Sequence, residues 1–328
     1  MIDSFQIFSF VHTLVASFGM LFNTLRIYLA IFKTPKIIKS YTTLIINFAL
    51  TDFFACFFDM FVQQRLIPAG RSLAHVSSGF CKYISPNACY VGHSLLLHFL
   101  SHTLYSLLLS FSYRYYVLFH QPPKRITLAL IVLLIYIPSF LQFIVFIYTQ
   151  DNPKEIVEIL HERYPQYDFE GNVVTGMKDI LCFSSLSTIG HMALPVTPVY
   201  MTILILRNRI ISSLSVQTST LTENTKKLHK QLLMALTYQA MLPGFYVFAV
   251  TSYAIGQFGI YNHPALEYMP FSSFLFIPCL SPVCSFVFVT PYRQFLARVF
   301  CRKAVADCAP GSNTPSFNTK TVKSTTDS

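Results

Sequence analysis

Charge is scarce in this chain. Asp, Glu, Lys and Arg make up 12% of its 328 residues, about half of the roughly 25% found in a soluble globular domain, while hydrophobic residues make up 53%. That deficit argues against a soluble fold. Cysteine occurs eight times but never in C-x-x-C spacing, which argues against a zinc site. A glycine-rich phosphate loop, a metal-spaced pair of His and acid, and a nucleophile motif in a fitting context are all missing, so neither an enzyme nor a bound cofactor is expected. The chain shows no internal repeat of the kind that often marks a transporter. It has no Asn-x-Ser/Thr sequon, so N-glycosylation is not expected.

What the chain does have is long apolar runs. Seven of them, at residues 5–32, 41–64, 86–119, 126–148, 183–206, 228–258 and 265–289, are each long enough to cross about 30 Å of hydrocarbon as a helix. The expected fold is an all-α membrane protein, a seven-helix transmembrane bundle over residues 1–303. Pro138, Pro195, Pro198, Pro243, Pro278 and Pro282 fall inside the runs, where neighbouring helices can satisfy the freed backbone groups. The first run starts almost at Met1 and exceeds the roughly 7 to 15 residues of a signal-peptide core, so it predicts a retained helix.

The net charge of +10 reflects topology and not a nucleic-acid partner, because the basic residues lie between the runs instead of forming one stripe. Of the 24 Lys and Arg, Arg26 sits within the first run. Six (Arg65, Arg71, Lys82, Lys154, Arg163 and Lys178) fall on one side, and the other 17 fall on the opposite side. The positive-inside rule predicts the N-terminus outside and the C-terminus in the cytoplasm. Residues 150–182 then read as an extracellular lid, residues 291–302 as a basic amphipathic helix on the inner lipid surface, and residues 304–328 as a disordered cytoplasmic tail. Cys301 and Cys308 beside that helix are candidate palmitoylation sites.

Asp52 lies midway along the second run, where an acidic group costs roughly 2.5 to 3.5 kcal/mol and needs a partner or water. Asn23, Ser281, Pro282 and Ser285 reach comparable depth, so an interior polar cluster around a sodium ion or water is expected. Arg114 ends the third run, placed either to snorkel or to meet a cytoplasmic partner. Cys89 precedes it by 25 residues, roughly 37 Å along a helix, and so reaches the oxidising side. The preferred disulfide joins Cys89 to Cys182, the cysteine of the long outer loop, with Cys81 as the competitor.

Asn23, the run Asn47-x-Ala49-x-x-Asp52, the Cys89-to-Arg114 spacing, Tyr113-Arg114-Tyr115 and Pro282 resemble the pattern of a divergent G-protein-coupled receptor. Lys39-Ser40-Tyr41-Thr42, residues Ser110 to Tyr116 and Thr290-Pro291-Tyr292-Arg293 are similar to nematode chemoreceptors of the serpentine receptor class delta family. The resemblance implies a chemosensory receptor of the plasma membrane and sensory cilia. It would bind a small-molecule ligand within membrane lipid and couple to a heterotrimeric G protein through Arg114, Tyr115, Arg207 and Lys230.

A bundle receptor holds its ligand between helices. Leu96, Leu97, Leu100, Tyr246, Tyr253, Phe271 and Phe274 are the expected lining, which suits a weakly polar organic molecule. His93, His98, His102 and His191 are spread over different helix faces and read mostly as packing residues. Asn23, Asp52, Pro243, Ser281 and Pro282 are the expected switch and polar core. The chain departs from the general receptor pattern in having no Trp, with Met241 two residues ahead of Pro243, and in carrying Tyr113, Ser281 and Ser285 at motif positions. The rival reading is a seven-helix ligand-gated channel of the insect odorant type. Such a channel would place the N-terminus inside, against the charge bias.

Overall fold

The computed structural model describes residues 4–34, 41–216 and 223–307. Among the described residues, seven helical stretches are long and apolar enough to cross a membrane. They comprise α1 (Ser4–Phe32), α2 (Thr42–Val62), α3 (Pro86–Phe119), α4 (Arg125–Ile147), α6 with α7 (Phe183–Ala193 and Val196–Val216), α8 with α9 (Glu223–Gln239 and Gly244–Gln257), and α10 (Pro264–Phe288). A further helix, α11 (Thr290–Asp307), follows α10, so residues 304–307 of the expected tail are helical. The rest of that tail, Cys308 included, lies outside the described residues, as do Lys36, Lys39 and Ser40.

Two of the long helices, α3 and α10, start on side-chain caps that the sequence supplies. The Ser85 hydroxyl accepts from the Ala88 N–H at 3.1 Å with Pro86 at the first helical position, and His263 Nδ1 accepts from the Ala265 N–H ahead of α10. The α4 surface carries Leu130, Leu133, Leu134, Ile137, Phe140 and Leu141 exposed, an apolar face suited to lipid and to nothing aqueous. Two expected spans are each broken in the middle. The fifth divides at Leu194 and Pro195. The sixth divides at residues 240–243, where backbone bonds tighten to Met241 N–H→Tyr238 O and Leu242 N–H→Gln239 O.

The fold is mostly helical, as expected, and carries one small sheet beside the bundle among the described residues. Strands β1 (Gln64–Ala69), β2 (Ser72–Ser77) and β3 (Val173–Met177) form an antiparallel sheet in the order β1-β2-β3. The segment between α2 and α3 makes the β1–β2 hairpin, Ala69 facing Ser72 across Gly70 and Arg71. Gly70 has φ 66°, a left-handed backbone that glycine adopts without penalty at the first position of such a turn. The long segment that follows α4 contributes β3 and a short helix, α5 (Pro153–Arg163), packed on the sheet through Ile156 and Leu160. The expected lid is thus a sheet shared between two loops.

The expected disulfide is corrected. Cys89 is bonded to Cys81 and not to Cys182. A 3-10 turn at Phe80–Tyr83 and the Ser85 cap fold the chain back over the first turn of α3, bringing the two Cα atoms within 5.0 Å. Cys182 instead precedes α6 as a free thiol, its sulfur 3.0 Å from the Ser185 hydroxyl.

Candidate functional site

The sheet roofs a cavity of about 400 Å³ between α3, α6, α9 and α10. Leu66, Leu73 and His75 reach it from the hairpin and Met177 from β3. Alternation along β2 puts Leu73 and His75 on the same face. On α3, His93 and Leu97 lie four residues apart and share a helix face, and both line the cavity. Of the expected lining, Tyr246 and Tyr253 of α9 and Phe271 and Phe274 of α10 also lie on this wall. Leu100 does not line it; that residue belongs to a smaller space of about 40 Å³ deeper in the bundle. Leu96 lines neither and packs in the surrounding core, since successive helical residues diverge by about 100°.

Two imidazoles stand out on the cavity wall. The rings of His75 and His93 lie 4.5 Å apart and pack against Phe146 and Phe271. Burial alone pushes His75 down to about 3, so its ring stays neutral. Sequence reading passed over His75 entirely, because a hairpin between two spans gives a weak periodic signal; the alternation of Leu73 and His75 was the available clue.

The smaller space is lined by Leu100, Ser101, Thr103, Gln239, Pro243, Tyr246 and Ser281 and shares Met192 and Tyr246 with the larger cavity. Tyr246 donates its hydroxyl hydrogen to the Met192 carbonyl at 2.9 Å, tying α9 to the end of α6. Below it sits the polar core. Asp52 is fully buried, and the cation that faces it is the Arg26 guanidinium, 3.7 Å away. Arg26 also donates to Ser281 Oγ at 3.1 Å, and Gln239 Nε2 donates to the Ser281 carbonyl at 3.0 Å.

Pro282 has no N–H to offer the carbonyl four residues earlier, that of Pro278. The Asn23 side chain supplies the missing donor at 2.9 Å. Asn23, Asp52, Ser281 and Pro282 therefore come together, whereas Pro243 stands at the α8–α9 break. Arg26 is the member that sequence reading left out. A second buried pair was also missed: His12 Nδ1 meets Asp59 at 2.8 Å, and its Nε2 lies 3.0 Å from the Ser272 hydroxyl, joining α1, α2 and α10.

At the end of the bundle away from the sheet, Arg114 is buried with its guanidinium stacked 4.2 Å from the centre of the Tyr41 ring. Its Nε and Nη2 have no hydrogen-bond partner. Tyr115 packs beside it in the core around Phe111, Arg207 donates to Thr237 Oγ1 at 3.3 Å, and Lys230 is exposed on α8.

At the sheet end, Arg65 meets Glu267 at 2.6 Å, with Tyr167 donating to the same carboxylate, and pins the lid to α10. Lys178 pairs with Glu155, and Arg71 with Asp179, on the lid surface. The Cys182 thiol is pushed up by burial but more strongly down by hydrogen bonds with Ser185 and Ser184, and its acidity ends raised.

Comparison with known proteins places this architecture. The chain is 44% identical over 287 residues to serpentine receptor class delta-18 of Caenorhabditis elegans, covering 86% of this chain and 85% of that one. It is 43% identical over 289 residues to serpentine receptor class delta-19 of the same organism, covering 87% and 85%. The fold is similar to that of squid rhodopsin, with a TM-score of 0.58 at 13% identity over 93% of this chain and 87% of the other. The family model for the serpentine type 7TM GPCR chemoreceptor Srd matches residues 8–298. With seven membrane-capable helices and a match along nearly the whole bundle, the chain is a multi-pass membrane protein that belongs to the Srd family of serpentine chemoreceptors.

Proposed function

We propose that the protein is a chemosensory receptor that binds a small organic molecule in the cavity under the sheet and signals to a heterotrimeric G protein at the opposite end. Its N-terminus is outside, and it works in the plasma membrane of sensory cilia. The observation that carries this reading is the cavity itself: about 400 Å³, within the usual range for ligand sites, walled by aromatic rings from several helices and roofed on one side by the sheet.

The broken helices supply the moving parts. A ligand shifts a two-state equilibrium only as far as its affinities for the two states differ. Tyr246 touches both cavities, so a ligand that repositions it acts on the α6 end through Met192 and on the breaks at Pro195 and Pro243. Gln239, just before the second break, grips Ser281 beside Arg26 and Asp52, which couples α8 to the polar core. Arg114, buried and short of hydrogen-bond partners, is the group placed to be drawn out by a cytoplasmic protein once α8 moves.

The test is a screen of small odorants and water-soluble metabolites on cells expressing the chain, read by second messenger and by current. Arg114→Ala is expected to abolish the second-messenger response with unchanged surface delivery. Normal signalling in that variant removes Arg114 from the mechanism, and a current that persists without G proteins overturns the receptor reading.

A further inference from the structure

The cavity under the sheet is apolar except at a few points, and those points are unfinished. His75 Nδ1, His93 Nδ1 and Thr188 Oγ1 have no hydrogen-bond partner, and the three residues are 1%, 2% and 3% exposed. All three line the same cavity, from β2, α3 and α6 respectively. A buried polar atom without a partner costs about 1 to 3 kcal/mol, so three around one space mark a place where a polar group is meant to sit. The other polar groups on the wall are already engaged. Tyr246 donates to Met192, Tyr253 to Gln257, Gln257 to the Gly70 carbonyl and Ser185 to the Met177 sulfur.

Charge narrows the occupant further. Among the described residues that line the cavity, none is Asp, Glu, Lys or Arg, so neither an ammonium nor a carboxylate would find a counter-charge there. Nor do the imidazoles form a metal site: among the described residues no group of three or more His, Cys, Asp or Glu could hold a metal ion. A neutral imidazole offers one N–H donor and one nitrogen acceptor, and a threonine hydroxyl both donates and accepts. The ligand group that complements such a set is one that donates and accepts at a single atom.

From this juxtaposition of His75, His93 and Thr188 in one uncharged aromatic cavity, we infer that the ligand is an uncharged alcohol, its hydrocarbon body against Phe271 and Phe274 and its hydroxyl on the two histidines and the threonine. The inference rests on the proposal that this cavity is the ligand site and names the chemistry that site selects. Hydrocarbon of the same size fills the cavity but leaves the polar atoms unpaired. A ketone can accept but not donate.

The test uses four matched probes of eight carbons: 2-phenylethanol, ethylbenzene, acetophenone and 2-phenylethylamine. Binding is measured by equilibrium dialysis against the full chain in lipid nanodiscs, with empty nanodiscs subtracted. The expected result is tighter binding of 2-phenylethanol than of ethylbenzene by about tenfold, the scale of one buried hydrogen bond. Acetophenone should fall between them and the protonated amine should not bind. Thr188→Val and His93→Phe should each shrink the alcohol preference while leaving ethylbenzene binding in place, and His93→Gln should restore part of it.

Equal affinity for 2-phenylethanol and ethylbenzene, equal affinity for 2-phenylethanol and acetophenone, or no binding of the alcohol overturns the assignment. These comparisons are made on the unaltered protein and so do not depend on the variants folding. A preference for the alcohol without any second-messenger response in cells supports the ligand class and overturns the signalling reading instead.

Discussion

Asp52 and Arg26 hold opposite charges where neither meets bulk water, and each is tolerable only because of the other. Removing the cation by Arg26→Met leaves a buried carboxylate uncompensated, at a cost of about 3 to 5 kcal/mol. Surface delivery and the unfolding temperature of the purified receptor should both fall, and adding Asp52→Asn should restore part of each; a double variant no better than the single one would show that the pair is not the cause. The acid was legible in the sequence because a carboxylate among apolar residues has no bland explanation. Its partner was not, since an Arg in a span can snorkel, and only the packing of α1 on α2 shows this one turned inward. His75 makes a different demand at the same scale. A free histidine titrates near about 6.5 and His75 near about 3, so the unfolded chain takes up a proton that the folded one refuses. Its contribution to stability is full above about 6.5 and is lost as the pH falls toward 3. Thermal unfolding in detergent from pH 7 to pH 4 should therefore show a decline that His75→Gln makes shallower; an unchanged slope would mean that this ring does not set it.

Two elements decide the shape of the sheet end, and neither follows from hydropathy. The 3-10 turn at Phe80–Tyr83 delivers Cys81 to Cys89, while Cys182 sits before α6 against Ser185. Non-reducing peptide mapping should recover a Cys81–Cys89 linked peptide. Cys81→Ser should cost about 2 kcal/mol, the scale of a short closed loop, and Cys182→Ser close to nothing. A linked peptide containing Cys182 would reverse the assignment. Sequence spacing favoured Cys182 because it measured depth along α3, whereas pairing depends on where a local turn sends the chain. Pro243 was expected as a switch residue, but the parting of the helices there and at Pro195 was not, for a related reason. Proline is tolerated within membrane helices, so its presence predicts a bend and not whether the helix actually parts.

Across the whole molecule, the orientation proposed from the Lys and Arg bias puts the sheet outside and Arg114 toward the cytoplasm. A tag on the N-terminus should accordingly be labelled on intact cells; labelling only after permeabilisation would invert the bundle and place the cavity on the wrong side for an external ligand. Composition alone settled that this chain lives in a membrane and how many times it crosses, because each crossing needs about 20 apolar residues and the hydrocarbon accepts little else. Residue patterns along Asn23, Asp52, Arg114 and Pro282 carried the receptor resemblance, and Lys39 to Thr42, Ser110 to Tyr116 and Thr290 to Arg293 carried the family. Tertiary structure decided the ligand site proposed here. His75 from a hairpin, His93 from α3 and Thr188 from α6 are far apart in sequence and share no motif, and they meet only because a sheet built from two loops closes over the helices. Lipid constrains each helix one segment at a time, so its demands are written locally; a binding site is a set of distances between segments, which only the packed bundle contains.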